Sequence, residues 1–287
     1  MNLRFSGHDT FHCKQQWLLK GVRLIEEYDI STFNDTSSAI KILGVGKNMV
    51  SSVKHWLESF YITDSQQITK IGQLLFGKNG LDNYLEDEGS LWLLQFYLCH
   101  TKYASIFNVL FTEYFKDKVS YHFTEDKVIK FLNKYIEENS FKPMSPNTLS
   151  NDFKVLTRSY VSSVKDNKVL EDDFNSPLLE LNLIDSFEKN TFKLNKVDRT
   201  IPPLIFAFTV LEVGKSLNQN SLSFKSIQDT LGNYFCLTND SLEAHVYQLN
   251  KTSPMFVFNE DGGTANIQIR DFNEQLQQDL LISHYAN

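Results

Sequence analysis

The residues with the widest chemical reach lie at the start of the chain, in Ser6-Gly7-His8-Asp9-Thr10-Phe11-His12, where two histidines and an acid surround one glycine. An imidazole beside a carboxylate can act as base and orienter, or both can ligate a divalent metal such as Mg2+ or Mn2+. His8 and Asp9 are therefore the candidate catalytic pair. A structural reading competes: Asp9 or Thr10 caps a helix beginning near His12, and His8 packs beneath it. A second acidic group, Asp82, Glu86 and Asp87 with Glu88, precedes an apolar stretch. Grouped carboxylates suit the metal centre of a nuclease, which makes Asp82, Glu86 and Asp87 candidate metal ligands. Acids in a first helical turn also complement the helix dipole. Arg158, after an apolar run, is placed to pair with Glu171, Asp172 or Asp173 as a structural ion pair. Gly44-Val45-Gly46-Lys47-Asn48 imitates a phosphate loop, but position 41 is Lys and Lys47 is followed by Asn, which excludes ATP binding there. No nucleophile elbow, zinc-protease helix motif, CxxC pair or dinucleotide fingerprint occurs.

The element best suited to present such groups to a ligand is Ala39–Ile62. Ala39, Ile40 and Leu43 form one apolar stripe, Gly44 and Gly46 bracket a tight turn, and Met49, Val50, Val53, Trp56 and Leu57 recur at helical spacing. Lys47, Asn48, Ser51, Ser52, Lys54 and His55 fall on the remaining face. This spacing predicts a helix-turn-helix whose second helix offers those six residues to phosphates and base edges. Lys47 and Asn48 also stand where helix N–H groups attract a phosphate. Tyr61-Ile62 and Ile68–Phe76 would supply a short wing. A solvated αα-hairpin is the alternative.

The rest of the chain reads as mainly α. Gln15–Tyr28 is an amphipathic helix, and Thr36 or Ser37 can cap the next one. Ser90–His100 is apolar nearly all round and predicts a buried central helix. Further helices are expected over 106–114, 127–138 and 147–155, the last opened by Ser145 and Pro146. Residues 161–173 read as a surface loop or strand pair. After Pro202-Pro203 come helices over 204–213, 223–231 and 238–249, then a hairpin around Asn259–Gly263 and a helix over 272–285. The expected organisation is an N-terminal winged helix-turn-helix module (1–80), a helical middle domain (81–200) and a second winged-helix-like domain (201–287).

Composition narrows the function classes. The chain has 287 residues, is 41% hydrophobic and 22% charged, and carries 23 Phe and 12 Tyr, which suits well-packed globular structure. No run is long enough to span a bilayer and the first residues hold no signal-peptide core. Cys13, Cys99 and Cys236 are odd in number and far apart, as expected of a reducing cytoplasm. Net charge is −7, which opposes extensive DNA wrapping. Residues 1–56 nevertheless hold seven Lys/Arg against five acids, and Ile40–Leu57 holds no acid. DNA contact, where it occurs, should be local and salt-sensitive.

Several segments together carry a family resemblance. They are Phe5–Phe11 with Trp17-Leu18 and Lys20-Gly21, Leu43–Val50, Asp82–Asp87 with Leu91–Leu94, Thr157–Tyr160 and Ser176–Leu178. In this order they resemble the family known as domain of unknown function 4007, over most of the chain. Where that family carries Glu after His8, this chain has Asp9, whose shorter side chain shifts its reach. The family is similar to the B component of Ssp-type DNA phosphorothioation systems in bacterial phage defence. The resemblance implies a DNA-nicking protein that works beside an ATPase and an ATP-pyrophosphatase. It also implies double-stranded DNA as a partner, and it supplies no established catalytic set. The alternative is a non-catalytic winged-helix adaptor or transcriptional regulator that recruits other proteins through its acidic later two-thirds.

Overall fold

A computed structural model describes residues 3–116, 118–162, 164–165, 168–169, 176–261, 264–270 and 273–286. The chain is mainly helical with small antiparallel sheets. It divides into two compact units, Met1–Asn195 and Lys196–Asn287. The segments expected as separate domains, 1–80 and 81–200, thus share one unit apart from the last residues of the second. The later boundary falls five residues before its expected place.

In the first unit, α1 (Gln15–Tyr28), α2 (Thr36–Leu43) and α3 (Lys47–Ser59) pack on one another. Asp35 caps α2, accepting from the Ser37 and Ser38 N–H groups at 3.2 and 3.3 Å. The cap is thus one residue earlier than the sequence suggested, because a carboxylate reaches the N2 and N3 donors from there. Gly44 ends α2 in the left-handed region, at φ 65°, and its N–H bonds to the Ile40 carbonyl. Gly46 has φ −69° and opens α3 in extended geometry, so one glycine makes the turn, not two. Strands β1 (Thr63–Asp64) and β2 (Gln67–Ile68) pair across Ser65-Gln66, both at positive φ. Helix α4 (Lys70–Phe76) follows.

Helix α5 (Glu88–His100) is the centre of this unit. Every residue from Gly89 to Cys99 is buried, as its all-round apolar character predicts. Its one indole nitrogen is satisfied within the helix, where Trp92 Nε1 donates to Glu88 at 3.0 Å. Its Gln95 accepts a hydrogen bond from Tyr160 Oη at 2.6 Å. Helix α5 packs on α6 (Ser105–Val109), which continues in a π-helical turn over Leu110–Tyr114; α8 (Pro146–Tyr160) packs on α6 and on α7 (Glu125–Glu138). Ser145 caps α8 at 3.1 Å to the Thr148 N–H, with Pro146 in the first turn, as expected. Two short strands, β4 (Val164–Lys165) and β5 (Lys168–Val169), form the pair anticipated within 161–173. Glu171, Asp172 and Asp173, the proposed partners of Arg158, lie outside the described residues; Arg158 itself is exposed. Strand β3 (His122–Phe123) joins β6 (Ile184–Glu188) and β7 (Thr191–Leu194) in a sheet of order β3-β7-β6.

The second unit runs α9 (Pro203–Leu217), β8 (Ser221–Ser223), α10 (Phe224–Ile227) with a π-turn to Gly232, α11 (Asn239–Thr252), β9 (Phe256–Asp261), β10 (Thr264–Ile269) and α12 (Glu274–Tyr285). Its sheet has the order β8-β10-β9, with Ile267 opposite both Leu222 and Phe258. Gly262, Gly263 and Phe272, part of the expected hairpin turn and last helix, lie outside the described residues. No described helix is long and apolar enough to cross a membrane.

Trp92 is 2% exposed in the middle of α5. Trp92→Ala should therefore cost about 3–5 kcal/mol by denaturant unfolding of the whole chain; unchanged stability would place α5 at a surface.

Candidate functional site

The Ser6–Thr10 segment is held by a histidine–aspartate pair that is not local in sequence. His8 Nε2 lies 2.8 Å from Asp152 Oδ1, with side-chain exposures of 4% and 3%. The Thr10 N–H donates to His8 Nδ1 at 3.1 Å, so the proton on the ring sits on Nε2 and is given to Asp152. Asp152 also accepts from the Ser6 N–H at 2.9 and 3.1 Å. The His8 carbonyl takes the Phe11 N–H at 2.8 Å and the Ser52 hydroxyl at 2.9 Å. Arg4 braces the segment on the other side. Its N–H donates to Ser105 Oγ at 2.8 Å, its carbonyl accepts from the Ser105 N–H, and its guanidinium stacks 3.7 Å over Tyr103.

These contacts force an uncommon backbone. Ser6, Gly7, Asp9 and Thr10 all have positive φ, of 66, 95, 44 and 66°. Three of the four are not glycine, and such residues persist only where surrounding contacts over-determine them. Gly7 is required twice over: a Cβ there would sit 2.8 Å from His55 Nδ1 in addition to the unfavourable φ.

The result separates the expected site residues. His8 is buried with both ring nitrogens engaged. Asp9 is exposed and accepts a hydrogen bond from the Ser51 hydroxyl of α3. Neither Asp9 nor Thr10 caps α1, which starts after Lys14 without a side-chain cap. On α3, Lys47, Asn48 and Ser51 are exposed and Lys54 is half-buried. Ser52 and His55 are not on that outer face. They are 0% and 2% exposed and turn inward beneath the Ser6–Thr10 segment. The correction has a physical cause: the loop supplies the carbonyl that satisfies Ser52, so a polar residue can occupy the inner face. His55 meets rings instead, those of His8, Trp56 and Tyr103 at 5.4–5.6 Å between centroids. Neither of its nitrogens has a hydrogen-bond partner. Burial, reinforced by His8 and Arg4, pushes its pKa down to about 3.

The acids over 82–88 serve the backbone. Asp82 is buried and accepts from the Glu86 and Asp87 N–H groups at 2.8 and 3.1 Å, and Asp87 caps α5 at 2.7 Å to the Gly89 N–H. Glu86 is exposed. Among the described residues no group of three His, Cys, Asp or Glu could hold a metal ion. Asp82, Glu86 and Asp87 therefore do not fit the metal centre expected of them. The three cysteines are buried, and none is in a disulfide.

Asp152 was the residue that sequence reasoning missed. Its signal is an acid within the apolar stripe Leu149, Phe153 and Leu156 of α8, at helical spacing.

The family model described as a protein of unknown function, DUF4007, matches residues 5–285. The chain belongs to the DUF4007 family. Its fold is that of SspB: an SspB crystal structure superposes with a TM-score of 0.85 at 21% identity, covering 99% of this chain and 88% of that one. A magnesium ion-bound SspB crystal structure gives 0.84 at 22% identity, with the same coverage. No curated protein matches this DUF4007 chain.

Two outcomes follow for the stability of this family member. Asp152→Ala leaves the buried His8 Nε2–H and the part-buried Ser6 N–H without an acceptor, so unfolding free energy should drop by about 2–4 kcal/mol. The unfolded His55 imidazole protonates near pH 6.5, whereas the folded one waits until about pH 3. Its contribution is complete above pH 6.5 and drains as pH falls through that interval, by about 2 kcal/mol between pH 6.5 and 5. His55→Leu should flatten this stretch of the stability–pH curve, measured by urea unfolding at each pH.

Proposed function

We propose that this chain is the DNA-binding component of a bacterial DNA phosphorothioation system, and that strand nicking is its activity. The observation that carries DNA contact is the outer face of α3. Lys47, Asn48 and Ser51 stand exposed there beside Lys54, at the start of a helix with no side-chain cap, and no acid occurs from Ile40 to Leu57. The first turn of such a helix offers N–H groups and positive potential to a phosphate. Helix α2, the Gly44 turn, α3 and the β1–β2 hairpin follow the order of a winged helix-turn-helix, with α3 in the place of the reading helix. The SspB-like fold and family membership support the system assignment. An ATPase and an ATP-pyrophosphatase would be its partners there.

The second unit also follows winged-helix order, with β8 and the β9–β10 hairpin in one sheet and α11 in the reading position. The exposed side of α11 carries Asp240, Glu243, Ala244, Tyr247 and Gln248. Two acids near the start of that helix repel phosphate, so this unit suits a protein partner better than DNA. One observation favours the alternative reading as a non-catalytic adaptor or transcriptional regulator: both His8 nitrogens are engaged, which removes His8 as a free base. In the nicking reading His8 therefore positions the loop, and Asp9 is the exposed group.

Lys47→Glu with Lys54→Glu tests the interface. Duplex DNA binding should be lost at moderate salt, and the log–log salt slope at low salt should shrink by about 2. The thermal midpoint should stay nearly constant, since neither side chain is buried. Unchanged affinity would remove α3 as the DNA-facing element.

A further inference from the structure

We infer that Ser51 is the nucleophile of the nicking reaction and Asp9 its general base; this rests on the nicking reading above. The whole Ser6–Thr10 construction delivers one reactive group to one place. A sealed His8–Asp152 pair, three non-glycine residues in left-handed geometry and a glycine packed on His55 fix the loop. What emerges at the surface is the Asp9 carboxylate, accepting the proton of the Ser51 hydroxyl. Strained backbone of this kind points to a functional constraint more than to a plain connection. Ser51 is in turn fixed by its rigid helix, its Oγ lying 3.0 Å from the Asn48 carbonyl. A serine hydrogen-bonded to a carboxylate that a braced loop holds in place has the nucleophile–base contact of an activated nucleophile.

The surroundings suit a phosphodiester. Lys47 lies one helical turn before Ser51 on the same exposed face, where its ammonium can neutralise a non-bridging phosphate oxygen. The N–H groups that open α3, those of Lys47 and Asn48, lie one turn before Ser51 at the positive end of the helix. Asp9 is the one acid in this cluster, and it is engaged with Ser51.

The step balances without a further reagent. The Ser51 O–H proton passes to Asp9 as Oγ attacks phosphorus. The Oγ–P bond forms and one P–O bond to deoxyribose breaks. The departing oxygen takes up a proton, which Asp9 can return. The product is a nicked strand with one end free as a hydroxyl and the other esterified to Ser51. Attack by that hydroxyl reverses the step, so the bond energy is conserved for resealing. A nick made only to exchange a backbone atom has to be closed again.

The test uses full-length protein and supercoiled plasmid. Reactions stopped with detergent are divided, half treated with protease, and both halves extracted with phenol. Wild-type protein should hold nicked circles at the phenol interface until protease frees them. Ser51→Ala should lose both nicking and retention, and Asp9→Asn should slow nicking by about 10²–10⁴-fold. Both side chains are exposed, so circular dichroism should show the wild-type fold. Wild-type nicking rates in Ser51→Ala, or nicked circles that never carry protein, overturn the assignment while DNA binding by gel shift still upholds the interface. A wild-type protein that binds plasmid but never nicks it overturns the assignment too. Failure to bind DNA at all instead overturns the functional reading on which it rests.

Discussion

Everything at the front of this protein depends on one carboxylate that has been taken out of water. Asp152 sits on the buried side of α8, where an isolated ion would be prohibitively costly. It is tolerated because two donors from the other end of the unit reach it, the Ser6 N–H and His8 Nε2. A buried pair of this kind adds little net stability compared with an apolar replacement, yet losing one partner is expensive. Its effect is specificity of position. It ties residues 6 and 8 to residue 152, and the intervening backbone must then adopt left-handed angles that it would not choose alone.

That tie also explains why α3 has two polar faces. The outer face, with Lys47, Asn48 and Ser51, is solvated in the usual way. The inner face carries Ser52 and His55 because the Ser6–Thr10 loop lies over it as well as apolar side chains. Ser52 spends its hydroxyl on the His8 carbonyl. His55 is enclosed by rings and Gly7 with its nitrogens unpaired, which holds it neutral at physiological pH. The loop and the helix therefore fit only together, and the Asp9–Ser51 contact lies at the rim of that fit.

The same fact sets the limit of what was legible beforehand. Helical periodicity marks apolar residues, so α5, the α2–turn–α3 pair and the second-unit helices could be read from spacing, as could the Ser145–Pro146 start of α8. Periodicity assigns polar residues to the outside by default. Ser52 and His55 broke that rule because their cover comes from a segment more than forty residues away. Asp152 was illegible for the same reason: its partner lies 144 residues upstream, and only its place inside an apolar stripe gave it away. The 82–88 acids left two readings open, metal ligands or helix-start carboxylates, since carboxylates that cap turns and helices cluster in sequence much as metal ligands do; the Asp87 cap on α5 belongs to the second.

Charge then decides how a polyanion can approach. The chain is net negative, and the residues after position 56 carry more than the whole of that excess, since residues 1–56 are themselves net positive. Such a surface repels DNA at long range and lowers non-specific association. Against that background the acid-free stretch from Ile40 to Leu57 is a narrow exception, defined as much by the missing acids as by its three lysines, Lys41 and Lys47 exposed and Lys54 half-buried. Affinity from so few cations is weak by itself. Under the proposed function, a weak, oriented contact suits a component that meets DNA beside other proteins, because such partners would supply residence time and α3 the register. By the same proposal, the acids elsewhere in the chain would lower non-specific association and leave the acid-free start of α3 as the favoured place for a phosphate.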